Sequence, residues 1–235
     1  MRYAIFYTPP AHDPLTLAAA SWLGRSVFSG DAIEPPSAGR LGMHEIAYYT
    51  AVPRRTGFHA CLKAPFHLDE SASEPALLRA MMRFAGGLEP ITMPKLEVAR
   101  IGDSYALVPG TVCPSLQRLA AQVVQEFDAF RAPLSEADIE RSNPDRLTAA
   151  QFANLHRWGH PYVMDEFRFH MTLTGSVEPR DFARFETALR EHFSPLLAAP
   201  IVFSNLALFV EKEPGAPFLV HSLHPMGRVA ARRSA

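Results

Sequence analysis

The sequence predicts an α+β protein of two related lobes, each an antiparallel sheet backed by helices, with a cleft between them. Three observations lead there. Short runs of β-formers alternate polar and apolar residues and are separated by stretches with helix start and stop signals. Two of these runs, "FHACLKAPF" at 58–66 and "FHMTLTGSV" at 169–177, echo each other. Each half of the chain also follows one order: a strand carrying His, a helix, then a pair of strands. That is a match of element order, not a repeat of fixed period. The lobes divide roughly as 1–130 and 131–227, with strands free to exchange between them, and 228–235 reads as a mobile tail.

Arg2 to Tyr7 is rich in β-formers and ends at Pro9-Pro10, which marks a strand. Asp13 caps a helix with Pro14 in its first turn, and apolar residues continue to Val27. "HEIAYYTAVPRRTG" reads as an irregular approach to the strand Phe58–Phe66. Ser73 caps a helix from Glu74 that stops at Gly86-Gly87. Lys95–Ile101 and Ser104–Val108 are strands joined tightly by Gly102-Asp103. Pro114–Phe130 reads as a helix. The polar stretch "APLSEADIERSNPDR", 132–146, suits a surface excursion or lid. Thr148 caps a helix running to Trp158, and "EFRFHMTLTGSV" reads as a strand. A helix over Pro179–Phe193 and strands over Pro200–Val210 and Pro217–Leu223 complete the second half.

Composition narrows the functions. The 235 residues are 48% hydrophobic and 20% charged, as in a folded globular chain. A formal charge of −1 supplies no overall field to draw nucleic acid or an anionic membrane. No run approaches the ~18 apolar residues of a membrane span, and the opening run is too short for a secretory signal. Two cysteines, Cys61 and Cys113, make neither a disulfide framework nor a thiolate zinc site. A reducing cytoplasm is therefore expected. His156 and His160 have the i, i+4 spacing of helical metal ligands. Gly159 and Pro161 break that helix, however, so neither a metal nor another cofactor is expected.

The chemistry concentrates on the two histidine strands. Side chains on a strand alternate faces. His59, Cys61 and Lys63 share one face of the first strand; Arg168, His170, Thr172 and Thr174 share one face of the second. Each polar face holds imidazole, a hydroxyl or thiol, and a cation, with no carboxylate, a combination suited to an anion. Two imidazoles across a cleft can act as general base and general acid on a phosphodiester. Arg54 and Arg55, just before the first strand, are candidates to hold a second phosphate.

Paired His-x-Ser/Thr motifs on strands of two pseudo-symmetric lobes resemble the two-histidine (2H) phosphoesterase superfamily. "GFHACLKAPF" with "LHRWGHPYVMDEFRFHMTLTG" looks like the branch encoded beside phosphonate-degradation (C–P lyase) genes, and the likeness extends to the opening "RYAIFYTPP". It implies His59 and His170 as the acid–base pair, Thr172 as a phosphate-holding hydroxyl, and a small cyclic phosphate as substrate. The candidate is 5-phosphoribosyl 1,2-cyclic phosphate. Cys61 departs from the motif, because a thiol is a poorer hydrogen-bond donor than a hydroxyl.

Two other functions stay open at the level of sequence. One is processing of RNA 2′,3′-cyclic phosphate ends, which the weak charge disfavours beyond a terminal nucleotide. The other is binding of a phosphorylated ligand without cleavage. The oligomeric state is not legible.

Overall fold

The computed structural model describes residues 1–227, so the tail at 228–235 lies outside the described residues. It has the expected α+β architecture with antiparallel sheets, but its sheets draw strands from both halves of the chain. The first strand, β1 (Arg2–Tyr7), lies at the centre of a four-stranded sheet ordered β2-β1-β8-β9, where β2 is Ala60–Phe66, β8 Asn205–Glu211 and β9 Leu219–Pro225. A second sheet has the order β4-β5-β6, from Leu96–Ile101, Ser104–Pro109 and Met171–Thr172. A two-stranded ribbon joins β3 (Ile91–Met93) to β7 (Ile201–Phe203). Every strand pairing is antiparallel.

Helices close the outer faces. The first, α1 (Pro14–Leu23), is capped by the Asp13 carboxylate, which accepts Leu15 N–H at 2.8 Å. It stops four residues earlier than expected, because Gly24 adopts φ +78° and its N–H closes on Ala20 and Ser21. Its Trp22 is fully buried and donates Nε1–H to Leu173 O at 3.0 Å, pinning the end of the second histidine segment.

The stretch expected to be irregular forms two short helices, α2 (Met43–Tyr49) and α3 (Ala51–Thr56), articulated at Thr50. The Thr50 hydroxyl donates to Ile46 O at 2.7 Å, satisfying a carbonyl that the helix end leaves open. Helices α4 (Glu74–Gly86), α5 (Pro114–Glu126) and α8 (Phe182–Phe193) supply apolar faces to one large core, whereas α7 (Ala149–Trp158) buries only Leu155 and contributes nothing to that cluster. That core contains Tyr3, Ile5 and Tyr7 of β1, and Phe58, Ala60 and Leu62 around β2. Residues 132–146 contain a one-and-a-half-turn helix, α6 (Glu136–Arg141), with a reciprocal Ser135–Asp138 cap.

Two differences from expectation bear on the site. The second histidine strand is only two residues long, Met171–Thr172, because the segment before it turns through Met164–Glu166. Beyond Thr172 the chain is held by isolated bonds: Leu173 N–H and Thr174 N–H reach Tyr105 O, and Gly175 N–H reaches Tyr49 O at 2.7 Å. The first histidine strand carries a bulge. Ile5 pairs with Lys63 but Phe6 with Cys61, so one step on β1 spans two on β2.

Candidate active site

The two histidine strands are edge strands of different sheets, β2 of one and β6 of the other, and they pack against each other without backbone pairing. His59 stands immediately before β2 and His170 immediately before β6. Both rings are fixed in the same manner. His59 Nδ1 lies 2.9 Å from Gly57 O, and His170 Nδ1 lies 2.8 Å from Arg168 O. A carbonyl only accepts, so Nδ1 carries the proton in each ring and Nε2 is left to face a ligand.

The rings differ in environment. His59 is half-buried, stacked on Phe6 at 3.9 Å between ring centres, whereas His170 is exposed. Burial lowers the His59 pKa to about 4; the Gly57 hydrogen bond opposes this and the nearby charge of His170 adds to it. His160, not expected at this place, feels the same charge; burial first, and His170 second, lower it to about 4 as well.

The turn ahead of His59 depends on its glycine. Gly57 has φ +76° and ψ −169°, and a Cβ there would sit 1.9 Å from Val27 Cγ1. The buried Arg25 clasps the same turn, with Nε donating to Arg54 O at 3.0 Å and Nη2 to Arg55 O at 3.1 Å and Phe218 O at 2.9 Å. The backbone that sets His59 is thus bound from three sides.

The other candidate residues separate into groups. Thr172, Thr174 and Arg55 line one cleft of about 610 Å³, joined by Arg2, which the sequence did not single out. Arg2 and Arg55 share the buried carboxylate of Glu211. Burial alone would raise Glu211; the hydrogen bonds and charges of Arg2 and Arg55 outweigh it and bring the carboxyl down to about 2. Two guanidinium groups against one carboxylate leave this end of the cleft with a net positive charge. Arg2 and Phe6 point to one face of β1, four residues apart, about 13 Å at the rise of a strand.

Thr174 is fully buried, and its hydroxyl accepts Tyr105 N–H at 2.9 Å, so it braces β5. Lys63 is turned away from the His59 face by the bulge. It is buried, with Nζ 3.1 Å from Asp128 Oδ1 and 3.4 Å from Val124 O. Arg54 donates to Leu23 O at 2.6 Å and to Ala47 O at 2.8 Å, tying α3 to the ends of α1 and α2. Arg168 lies in a separate groove beside Cys113 and Phe169, with Nη1 on Asp165 O at 2.6 Å and Phe167 O at 2.7 Å. Cys61 keeps the His59 side of β2, packed beside Phe6 and Phe209. Burial pushes its thiol up to about 12 against the lowering effect of Lys63, so it is an uncharged thiol at neutral pH.

The histidine shifts carry a stability prediction. An imidazole in the unfolded chain titrates near about 6.5, and His59 and His160 in the folded chain near about 4. Between those values the unfolded chain takes up protons that the folded chain refuses. Their contribution is full above pH ~6.5 and is lost as pH falls toward ~4. Linkage sets an upper bound of about 3 kcal/mol per ring, and partial solvent contact reduces the expectation to about half of that. Glu211, at about 2, does not protonate in this window. Urea midpoints should therefore fall between pH 7 and 4.5, and His59→Gln should flatten part of the fall. A wild-type midpoint constant over that range would overturn the assignment.

Among the described residues no helix is long and apolar enough to cross a membrane. Comparison with known proteins yields two curated relatives, both named ribose 1,5-bisphosphate phosphokinase PhnN. The protein from Janthinobacterium sp. (strain Marseille) is 34% identical over 99% of this chain and 52% of its own length. That from Laribacter hongkongensis (strain HLHK9) is 32% identical over 93% of this chain and 50% of its own. The chain therefore spans about half the length of the curated relatives it matches. Among solved structures, E. coli LigT complexed with 3′-AMP aligns with 96% of this chain and 98% of its own at 13% identity and a TM-score of 0.42. TT0787 of Thermus thermophilus aligns with 97% and 98% at 14% identity and a TM-score of 0.44. The sequence pattern of the family described as "Protein of unknown function (DUF1045)" matches residues 61–219, from the second residue of β2 through β6 to the first residue of β9, and the chain belongs to that family.

Proposed function

We propose that this chain is a cyclic phosphodiesterase that opens a small cyclic phosphate with His59 and His170 as its acid–base pair. The observation that carries the reading is the matched tethering of the two rings. Each has Nδ1 held by a carbonyl two residues upstream, and the rings stand close enough for one charge to act on the other. Paired imidazoles with free Nε2 atoms are what general acid–base cleavage of a phosphodiester needs.

The difference in exposure supports a division of roles. His59, whose burial disfavours the cation, takes a proton from water as the water oxygen bonds to phosphorus. His170, open to solvent that can hydrate its cation, gives a proton to the sugar oxygen as its bond to phosphorus breaks. One water is consumed and a phosphomonoester forms; the two rings then exchange protons with solvent. The Thr172 hydroxyl, in the cleft, donates to a non-bridging oxygen as negative charge builds there.

The substrate favoured is 5-phosphoribosyl 1,2-cyclic phosphate. Arg55 and Arg2 offer their net positive charge to its 5-phosphate. Breaking the bond from phosphorus to O2 yields ribose 1,5-bisphosphate, the compound in the name of both curated relatives. That correspondence supports the substrate class and a place for the reaction in phosphonate breakdown. Cys61 supports a second reading, binding without cleavage, because it puts a thiol where a hydroxyl would hold the phosphate.

Phosphorus NMR of the chelator-treated protein with this substrate decides between them. The cyclic resonance should give way to two monoester resonances. If it persists while the ligand raises the melting temperature, the protein is a binder. If 2′,3′-cyclic nucleotides are opened and the ribosyl compound is not, the substrate is the terminal phosphate of RNA.

A further inference from the structure

The cleft that holds Thr172 concentrates positive charge at one end. Among the described residues, its lining offers the guanidinium groups of Arg2 and Arg55 and no carboxylate. The carboxylate that both groups touch, Glu211, is only 1% exposed and lies beneath them.

The protein itself saturates Glu211. Its Oε2 accepts from Arg2 Nε, and its Oε1 accepts from Arg55 Nη2 at 3.0 Å and from Gly215 N–H at 3.1 Å. A guanidinium has five N–H donors, and these bonds use only Nε of Arg2 and one N–H on Nη2 of Arg55. Among the described residues, Nη1 and Nη2 of Arg2, and Nε and Nη1 of Arg55, meet no protein acceptor.

Both arginines are anchored from behind. The register of β1 on β8 sets Arg2 opposite Glu211. Arg55 O accepts Phe218 N–H at 2.9 Å and Arg25 Nη2 at 3.1 Å. The Phe218 ring also flanks Arg2, with 5.7 Å from its centre to Cζ. Asp138, whose charge acts on Arg2, is engaged by Ser135 and Arg141. Arginine loses rotamer freedom when it closes on a ligand; here Glu211 has fixed both side chains beforehand.

Free donors on two fixed forks suit a group rich in charge and acceptors. A phosphomonoester carries about −1.5 to −2 at pH 7 and has three unesterified oxygens, where a diester has a single charge and two. We propose that Glu211 is a positioning residue that holds Arg2 and Arg55 as a preformed clamp for a phosphomonoester, selecting substrates with a terminal phosphate over those with none or with a diester. The inference rests on the phosphodiesterase reading and adds to it the residue that sets its specificity.

The test reads discrimination: kcat/KM for 5-phosphoribosyl 1,2-cyclic phosphate divided by that for ribosyl 1,2-cyclic phosphate. The dissociation constant of ribose 5-phosphate is measured beside it by calorimetry. Arg55→Ala should cut the ratio by about 10- to 100-fold, the loss of a hydrogen bond to a charged group. Capping the 5-phosphate as a methyl diester should lower the wild-type kcat/KM by about tenfold on the same grounds.

Glu211→Gln tests the positioning. Its amide oxygen can serve one guanidinium while its NH₂ opposes the other, so the ratio should fall about tenfold and ribose 5-phosphate should bind more weakly. If Glu211 only offsets charge, its neutralisation tightens that binding, and the proposal fails. A merely structural role would slow both substrates equally and keep the ratio, which also overturns it. If the glutamine variant does not fold, Glu211→Asp keeps the charge but not the reach to both groups; a wild-type ratio there overturns the proposal. If wild type opens neither substrate, the phosphodiesterase reading fails by itself. The ribose 5-phosphate affinities of wild type, Arg55→Ala and the Glu211 variant then still decide for or against the clamp.

Discussion

The His170→Ala variant is expected to turn over 5-phosphoribosyl 1,2-cyclic phosphate on the order of 10³-fold more slowly than wild type, with its melting temperature unchanged. Loss of a general acid or base costs ~10²–10⁴-fold. His170 is exposed, with its ring bonded to one backbone carbonyl, so truncation removes little packing. His59→Ala should lose a similar factor in rate but also melt lower. It removes the stack on Phe6, and such aromatic pairs contribute about 0.5–1.5 kcal/mol. The double variant should be little slower than either single one, because groups that act as a unit are not additive. Rates followed by phosphorus NMR at saturating substrate test all three. A His170→Ala variant within threefold of wild type would remove the acid–base pair. A double variant showing the full product of the two losses would mean that the rings act independently.

Gly57→Ala should destabilise the protein by about 2–5 kcal/mol and impair turnover beyond what the stability loss explains. Two separate costs add. A non-glycine residue at φ +76° carries about 1–2 kcal/mol of backbone strain. The new methyl also meets Val27 Cγ1 at 1.9 Å, an overlap that costs about 1–3 kcal/mol to relieve. Because Gly57 O holds His59 Nδ1, any shift of this turn changes where Nε2 points. The double variant Gly57→Ala/Val27→Ala separates the terms. It should recover the overlap but not the strain, after allowing for the cavity left by Val27→Ala alone. Denaturant unfolding gives the stabilities and the cyclic-substrate assay gives the rates. A Gly57→Ala protein as stable and active as wild type would mean that the turn relaxes freely and does not set His59.

The features legible in the chain before folding are local. Alternation along a strand, the caps at Asp13, Ser73 and Thr148, and the echo of one histidine segment in the other follow from periodicity and side-chain chemistry within a few residues. The α+β class with antiparallel sheets follows from those elements. Whatever a distant partner decides needed the folded molecule. Lys63 was expected on the face of His59, yet the bulge opposite Ile5 and Phe6 turns it toward Asp128. Thr174 and Arg54 carry the right groups for phosphate, but Tyr105 N–H and the carbonyls of Leu23 and Ala47 already engage them. Arg2 looked like an ordinary strand residue until its register against Glu211 placed it beside Arg55. The three-residue β3 is too short to leave a signal of its own, and its pairing with β7, which falls inside the strand expected over Pro200–Val210, joins segments far apart in sequence. His160 suggested only a broken helical spacing; in the folded chain its Nδ1 accepts the Tyr162 N–H, a contact that the spacing did not signal. Local patterns specify which side chains are available. Which of them stays free for a ligand depends on contacts far apart in sequence, and those are settled only when the core forms.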